Sequence, residues 1–303
     1  MHIQLVLCLL CVATEIPRVQ TIPIPTQERL PVYQPHNLAQ RAGVQAALTA
    51  LATVGESRSV QLIVQAAPWL LNVSRDDGPR VQALLNARYT EMDADPEWRA
   101  LASPLSSAFQ QMTPSMIVVA PRGVDPRTAP VVCFLHGYGG NGKLFAWLVS
   151  RALPQMWVIA PSHGLTWSKP RLGHLDAALG RFEALSGIPS PRYWLVGLSD
   201  GGVGAFEIYG ARPTRIAGMV SVVGVPRRDA VTRLPQDGRV LMLNGRRDRF
   251  VGADTVAERF PTLAARVRHA ELEWYDDGHY FLLDDDGKAL ERIRAFIQAR
   301  APQ

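Results

Sequence analysis

Cysteine is scarce in this chain, and its placement excludes two common kinds of framework. Only three cysteines occur among 303 residues, and two of them, Cys8 and Cys11, lie inside one apolar run. This spacing provides neither the pattern of a disulfide-stabilised domain nor a Cys/His set for structural zinc. Cys133 lies in the apolar run VVCFL, where we expect a small buried side chain. We therefore predict no metal site.

Runs of basic residues are also absent. The chain has 32 Lys and Arg against 27 Asp and Glu, which gives a formal net charge of +5. The positive charges are spread along the sequence, whereas nucleic-acid-binding proteins group them into runs or patches. We therefore expect no nucleic-acid partner.

The N-terminal apolar run is too short to span a bilayer. It covers residues 3–13 and is followed by the Pro-rich segment IPRVQTIPIPTQERLP. A spanning helix needs about 20 apolar residues, while a run of this length is typical of a signal-peptide core. No Lys or Arg precedes it, so an ordinary buried N-terminus is the alternative. We predict a signal-like leader over residues 1–20 and an exported protein, periplasmic or secreted, with membrane contact only through an uncleaved leader.

Residues 21–112 are predicted to form a Pro-rich linker and a helical extension. The segment NLAQRAGVQAALTALATV is Ala-rich and amphipathic. Pro79 follows Asp77 and Gly78, and Pro96 follows Asp95, an arrangement favoured at the first turn of a helix. No motif here carries chemistry. The extension either packs against the helices of the following domain or covers part of a site there.

From residue 113 to residue 303 apolar runs alternate with amphipathic helical patterns. The inner runs are almost continuously apolar, as strands covered on both faces must be. This alternation predicts an α/β fold with a mostly parallel sheet flanked by helices, whose sites lie at the carboxyl ends of the strands. The predicted strands are 116–120, 131–135, 157–160, 193–196, 219–223, 240–243 and 272–275.

One serine lies between glycines where a predicted strand becomes a helix. The sequence GLSDG, residues 197–201, fits the pattern G-x-S-x-G. A tight strand-to-helix turn of this kind exposes its serine at a helix N-terminus, and the glycines have no side chain to clash there. An ordinary Gly-rich turn is the alternative, but the strand before and the helix after favour Ser199 as a nucleophile.

A nucleophilic serine needs a base that is held by an acid. Asp248 comes just after the strand 240–243, and His279 follows the last strand in a loop that begins with Gly278. The order Ser, Asp, His, each past a strand end, is the order that this architecture requires. An ion pair with a neighbouring arginine is the alternative role for Asp248. Asp276 and Asp277 are rival acids, which we interpret as turn residues because they immediately precede the histidine loop.

The oxyanion that acyl transfer creates needs two backbone donors. One is the N–H of Asp200, the residue after the serine. The other is expected from HGYGG, residues 136–140, which follows the strand 131–135. We favour the N–H of Tyr138, with Gly139 as second choice, and expect His136 to anchor this loop.

Four motifs in order, HGYGG, GLSDGG, NGRRDRFV and DDGHY, resemble serine hydrolases of the α/β-hydrolase family. Within the family the chain is similar to compact esterases of the carboxylesterase, phospholipase or polyhydroxyalkanoate-depolymerase kind. The resemblance covers roughly residues 114–300. It implies hydrolysis of carboxylic esters through an acyl-serine intermediate, with Ser199, Asp248 and His279 as the triad and without metal or cofactor. Only GVPRRDAVTRLPQDGR stands where family members with a large lid insert it, so we expect an open site.

Two other functions are compatible with this pattern. A peptidase of the prolyl-oligopeptidase type has the same triad, although the extension here is too short and too poor in strands for a propeller. A non-catalytic binding protein could use the hydrolase fold as a scaffold, although it would need none of the triad and oxyanion residues together.

Basic residues follow several of the predicted strands. Arginine forms good donor pairs for carboxylates and phosphates, so we infer an anionic group on the small-molecule or polymeric ester substrate. A solvated basic surface, partly neutralised by Asp200, Asp229, Asp276 and Asp277, is the alternative. The residues concerned are Lys169, Arg171, Arg227, Arg228, Arg246, Arg247 and Arg249.

Overall fold

The apolar runs predicted as strands all belong to one sheet. The structure, a computed structural model, describes residues 18–66, 78–140, 142–189, 191–283 and 287–299. The leader predicted over residues 1–20 therefore lies almost wholly outside the described residues. The strands are β1 (Val19–Pro23), β2 (Ser115–Val119), β3 (Val131–Leu135), β4 (Trp157–Pro161), β5 (Tyr193–Leu198), β6 (Ile216–Val222), β7 (Arg239–Gly245) and β8 (His269–Tyr275).

The sheet is parallel except at one edge. Its order is β1-β2-β4-β3-β5-β6-β7-β8, and β2 runs antiparallel to both β1 and β4. The strands from β4 to β8 are all parallel neighbours, so their carboxyl ends meet along one border of the sheet. The predicted α/β fold with a mostly parallel sheet is confirmed.

Strand β1 was not expected from the sequence. It combines the end of the predicted leader with the start of the predicted linker, and it pairs with β2 from Val19↔Val119 to Pro23↔Ser115. A proline at the end of an edge strand costs no internal ladder hydrogen bond. The prolines around this segment argued against a strand, but an edge strand can accept a proline at its end.

Helices cover both faces of the sheet. The long helix of the extension is broken at Gly55, which has a non-helical φ of 79°. None of the described helices combines the length and apolar character that a membrane crossing requires. The helices are α1 (Leu38–Ala66), α2 (Gly78–Ala94), α3 (Pro96–Arg99), α4 (Gly142–Ala152), α5 (Leu172–Ser186), α6 (Asp200–Ala211), α7 (Arg228–Arg233), α8 (Ala253–Arg266) and α9 (Lys288–Gln298), with short 3₁₀ turns at Pro104–Ala108 and Phe281–Leu283.

The sheet separates two apolar cores. Alternate residues of β3 point to opposite faces, so Val132 and Phe134 enter one core and Cys133 and Leu135 the other. The helical extension belongs to the first core, where Trp98 is fully buried. The extension therefore packs as part of the domain.

A buried polar cluster also joins the extension to the domain. The carboxylate of Glu56 accepts hydrogen bonds from the Tyr89 hydroxyl at 3.0 Å and the Ser103 hydroxyl at 2.6 Å. Burial raises the pKa of Glu56, and burial lowers the pKa of nearby Lys143, whose Nζ donates to the Leu101 carbonyl at 2.9 Å. Helices α1, α2 and α4 thus share one set of satisfied polar groups.

Removing the Trp98 side chain tests how firmly the extension is packed. Trp98→Ala should lower the free energy of unfolding by roughly 3–5 kcal/mol, because a large cavity would replace a fully buried side chain. Urea unfolding measures the loss. Leu38→Ala in the same extension is the control, since Leu38 is 82% exposed and its truncation should leave stability unchanged. Equal stability of both variants would contradict the packing described above.

Candidate active site

The strand-to-helix turn at Ser199 is the centre of the site. Strand β5 ends at Leu198, and α6 begins at Asp200, so Ser199 alone makes the turn, with φ 53° and ψ −114°. A Cβ on Gly197 would collide with the carbonyl of Gly201, and a Cβ on Gly201 would collide with the carbonyl of Leu135. Both glycines are therefore required by close backbone approach, as the motif predicts. The Ser199 side chain makes no capping bond to α6.

The structure brings Ser199, His279 and Asp248 together in one hydrogen-bonded chain. The distance from His279 Nε2 to Ser199 Oγ is 2.9 Å, and that from His279 Nδ1 to Asp248 Oδ2 is 2.8 Å. A carboxylate can only accept, so the imidazole proton lies on Nδ1 and leaves Nε2 free to accept the serine proton. The geometry is that of a nucleophile, a base and an orienting acid.

Burial and backbone donors fix Asp248 in this arrangement. Its side chain is 0% exposed, and its Oδ1 accepts hydrogen bonds from the amides of Phe250 at 2.8 Å and Val251 at 3.1 Å. These bonds hold the carboxylate in place, with Oδ2 aimed at the imidazole. The ion pair considered as the alternative for Asp248 is absent among the described residues.

The two rival acids have other partners. The side chain of Asp276 is 89% exposed and lies 3.7 Å from the guanidinium of Arg247. Asp277 accepts from the amide of Gly278 at 2.6 Å, as a turn residue does, and forms a two-pronged ion pair with Arg80 of α2. Burial would raise the pKa of Asp277, but Arg80 and the Gly278 amide together hold it below its usual range. Neither carboxylate bonds to His279 in the described structure.

The loop after β3 lies against Ser199, the candidate nucleophile. A Cβ built on Gly137 would lie 3.6 Å from the Ser199 Cβ. The N–H of Gly139 donates to the carbonyl of Leu165 at 2.9 Å, so the second choice for an oxyanion donor already has an acceptor. The backbone N–H groups of Tyr138 and Asp200 have no acceptor among the described residues, as an oxyanion hole requires.

His136 orients the peptide that carries the Tyr138 N–H. Its Nε2 accepts from the backbone N–H of His163 at 3.2 Å, so its proton lies on Nδ1 and is donated to the Gly137 carbonyl at 2.8 Å. In a trans peptide the C=O and the next N–H point in opposite directions. The Tyr138 N–H therefore points away from the imidazole.

The side chain of Asp200 has a role that the sequence did not reveal. Its Oδ2 accepts from the Thr166 hydroxyl at 2.7 Å and from the amides of Trp167 at 2.5 Å and Ser168 at 3.0 Å. The residue after the nucleophile thus fastens the loop after β4 to the nucleophile turn. The sequence signal for this role was an acidic side chain at a helix N-terminus beside the candidate nucleophile, but the partners of that side chain lie more than 30 residues away.

Three buried histidines lie in this loop or contact it, namely His136, His163 and His174. His163 stacks on Trp167 with ring centroids 4.0 Å apart, and His174 Nε2 donates to the Ser162 carbonyl at 2.8 Å. Burial is the main reason that the pKa of His136 falls to about 4 and that of His163 to about 3, and burial also lowers the pKa of His174. The hydrogen bonds around all three rings are those of neutral imidazoles.

The seven basic residues that follow the predicted strands, here called the basic rim, are only partly neutralised. Arg228 pairs with Glu258 at 2.5 Å, Arg247 contacts Asp276, and Arg246 lies over the Trp274 ring at 5.3 Å. Arg227 is half-buried and Arg249 is exposed, and neither has an ion-pair partner among the described residues. Of the four acidic residues suggested as neutralising groups, Asp276 is the one whose carboxylate pairs with a rim arginine among the described residues, while Asp277 accepts from the Arg247 N–H through its backbone carbonyl at 2.9 Å.

The buried histidines predict a pH dependence of stability. The unfolded chain binds protons at about pH 6.5, well above the folded-state pKa values of His136 and His163. Between roughly pH 6.5 and 4 the unfolded state therefore holds more protons, and the free energy of unfolding should fall as the pH falls, by up to about 1.4 kcal/mol per pH unit for each histidine. Glu56 acts in the opposite direction, because its raised pKa favours the folded state on acidification.

Urea unfolding at pH 7, 6 and 5 measures this slope. His163→Gln removes one titrating group and should give a shallower slope than the unaltered protein, whatever its stability at pH 7. An identical slope in the variant would contradict the assignment of the effect to this histidine.

Comparison with known proteins places the fold. Residues 130–277 match the family model described as alpha/beta hydrolase fold. Est1E from Butyrivibrio proteoclasticus is 14% identical, with a TM-score of 0.51, over 62% of this chain and 96% of that one. A structure of the Pyrococcus furiosus esterase Pf2001 is also 14% identical, with a TM-score of 0.51, over 62% of this chain and 87% of that one.

A third structure, a thermostable esterase, is 20% identical with a TM-score of 0.47, over 57% of this chain and 53% of its own length, so the chain spans about half of that protein. None of the curated proteins compared with the chain matches it. At such identities structural likeness concerns the fold. The family match, the mostly parallel sheet and the strand-turn-helix at Ser199 together show that this chain is an α/β-hydrolase-fold protein.

Proposed function

We propose that the protein is a serine esterase that hydrolyses carboxylic esters through an acyl-serine intermediate. The observation that carries the proposal is the chain of hydrogen bonds from Ser199 through His279 to Asp248, with distances of 2.9 and 2.8 Å. The α/β-hydrolase fold and the esterases among its structural neighbours support the same reaction class.

In the first half of the reaction Ser199 Oγ attacks the acyl carbonyl while its proton passes to His279 Nε2. Asp248 stabilises the imidazolium that forms. The carbonyl oxygen becomes an oxyanion, which the N–H groups of Tyr138 and Asp200 bind. Collapse of this intermediate breaks the ester bond, the alcohol takes the proton from His279, and the acyl group stays on Ser199.

In the second half water replaces the alcohol. His279 Nε2 takes a proton from water as its oxygen attacks the acyl-serine, and the same two N–H groups bind the second oxyanion. Ser199 then leaves with the proton from His279, and the carboxylic acid is released. No redox step occurs, and both halves use the same three side chains. Hydrolysis should fall on the acid side, because His279 must be neutral to accept the serine proton.

The exposed rings around the nucleophile suit an ester with an apolar part. Tyr138 lies next to Gly137 in the oxyanion loop, the name used here for residues 136–140 after β3, and is 63% exposed. Phe250 is 45% exposed, with its ring centroid 4.5 Å from that of His279. We further propose that the substrate carries an anionic group, for which Arg227 and Arg249 supply unpaired charge on the described rim.

Replacing the nucleophile tests the proposal directly. Ser199→Ala should fold normally, lose labelling by a fluorophosphonate probe, and lose ester hydrolysis by at least about a thousandfold. Ser150→Ala on α4 is the control and should keep both. Absence of labelling in the unaltered protein would favour a non-catalytic scaffold. Labelling that persists in Ser199→Ala would place the nucleophile elsewhere. A matched panel of esters and amides separates esterase from peptidase.

A pair of aspartates tests the acid. Asp248→Asn should lower kcat by about a thousandfold or more, because an amide cannot hold the required imidazole tautomer. Asp276→Asn removes an exposed charge and should change kcat by no more than about twofold. The same panel of esters measures both. The opposite result would make Asp276 the acid.

Salt dependence tests the anionic group. A carboxylate-bearing ester should show a higher kcat/KM than its neutral analogue, and the advantage should shrink as ionic strength rises. Replacing Arg227 and Arg249 with Ser should narrow the difference. Replacing Arg228, which already pairs with Glu258, is the control and should have a smaller effect. Equal kcat/KM values for the two esters, without salt dependence, would contradict an anionic group on the substrate.

A further inference from the structure

The segment between β1 and α1 runs along the site as a strap. We use strap for residues 24–36, which follow the edge strand directly. Ile24 and Leu30 are buried, at 2% and 5% exposure. The strap is held by the backbone bonds Ile24 N–H to Pro114 O at 2.8 Å and Tyr33 N–H to Ala108 O at 2.7 Å, and by the side-chain bond Gln111 Nε2 to Leu30 O at 2.8 Å.

One residue connects the strap to the oxyanion loop. The N–H of Leu165 donates to the carbonyl of Pro31 at 2.7 Å, and the carbonyl of Leu165 accepts from the N–H of Gly139 at 2.9 Å. Gly139 directly follows Tyr138, the proposed oxyanion donor. The N–H and the carbonyl of Leu165 thus bind two different segments, one of which belongs to the proposed catalytic machinery.

The loop that contains Leu165 is fixed to the site at two further points. We use bridge loop for residues 162–168, between β4 and α5. Asp200 accepts three hydrogen bonds from its second half, and His136 accepts one from the N–H of His163. The bridge loop therefore contacts the residue after the nucleophile, the oxyanion loop and the strap. The strap is the only one of these three that comes from the N-terminal extension.

We propose that the strap is a positioning element of the proposed oxyanion hole. The strap binds the Leu165 N–H through the Pro31 carbonyl and so holds the bridge loop in place. The Leu165 carbonyl then binds the Gly139 N–H, and this bond fixes the direction of the neighbouring Tyr138 N–H. This inference rests on the proposed esterase function and adds to it that residues far before the hydrolase motifs contribute to transition-state stabilisation. An oxyanion donor is sensitive to position, because a displacement of about 1 Å can lower the rate a hundredfold.

Gly164 is the contact at which the strap can be displaced. Its φ is 66°, and a Cβ there would collide with the Pro31 carbonyl oxygen and lie 3.2 Å from the Leu30 Cβ. A single methyl group at this position would therefore push the strap and the bridge loop apart. The chain also offers a matched control. Gly187 has a φ of 69°, and a Cβ there would meet nothing within 4 Å.

The test compares Gly164→Ala with Gly187→Ala. Both substitutions introduce similar left-handed backbone strain, but only the first displaces the strap. Gly164→Ala should lower kcat for a small activated ester about tenfold or more with little change in KM, since donor placement affects the transition state more than ground-state binding. Gly187→Ala should keep kcat within about twofold of the unaltered protein. Equal kcat in two folded variants would overturn the proposal.

A second pair of variants applies if Gly164→Ala does not fold. Leu30→Ala loosens the strap by removing its buried anchor, while Leu85→Ala removes an equally buried leucine from α2 in the first core. Both should lose comparable stability. Only Leu30→Ala should lower kcat when the two are compared at temperatures where each is fully folded. An equal effect in both variants would reduce the strap to a stabilising element and contradict the proposal.

Hydrogen exchange supplies a measurement that does not depend on activity. In Leu30→Ala the amides of Leu165 and Gly139 should lose protection together, whereas those of β5 should keep it. If Gly139 stays protected while Leu165 does not, the mechanical link is wrong even in an active esterase. If the link holds but the unaltered protein hydrolyses no ester and binds no fluorophosphonate, the proposed function fails instead.

Discussion

The strained backbone of Ser199 is the constraint on which the arrangement of the site depends. A non-glycine residue with φ 53° and ψ −114° is unfavourable by roughly 1–3 kcal/mol, and it persists only where the surroundings leave no alternative. Here the Ser199 N–H donates to the Val222 carbonyl at the end of β6, and its carbonyl accepts from the Val203 N–H in α6. The parallel sheet and the helix thus hold the turn from both sides. The same strain directs the side chain away from α6 and toward His279.

Electrostatics at the site are divided between charged and neutral groups. Asp248 is buried beside His279 and is bonded by two backbone amides, while His136, His163 and His174, which lie in or beside the bridge loop, are kept neutral by burial. These imidazoles are not placed for proton transfer, because the ring proton of each is bonded to a backbone carbonyl. Their role is structural, since each ring holds a backbone carbonyl in place through a hydrogen bond.

Local patterns in the sequence predicted most of the strands and helices of the domain, because the residues that form each such element are neighbours in the chain. Each predicted strand from 116 onward overlaps a strand of the sheet, and the run 131–135 matches β3 at both ends. Helix α5 ends at Gly187 in the left-handed conformation that glycine adopts readily. The pattern GLSDG located the nucleophile turn for the same reason, since strand, turn and helix are neighbours in the chain.

Contacts between distant segments were not predictable in the same way. Strand β1 and the strap form a short, proline-rich stretch that bonds to much later parts of the chain, such as Pro23 with Ser115 and Tyr33 with Ala108. No local periodicity identifies such partners. The carboxylate of Asp200 bonds to a loop over 30 positions earlier, and Arg80 bonds to Asp277 across 197 positions. Such pairs depend on topology, which a single sequence specifies only through the complete fold.

The position of β1 also has a consequence for biosynthesis. Its residues leave the ribosome long before their partners, because Val19 pairs with Val119 and Pro23 with Ser115. At about 5–20 residues per second, the intervening chain takes on the order of 5–20 seconds to synthesise. Throughout that interval the segment has no sheet edge to join. Pro23 at the end of β1 disfavours pairing with other unprotected strands during this interval. The pairing of β1 with β2 is therefore a late event, although β1 is made before β2.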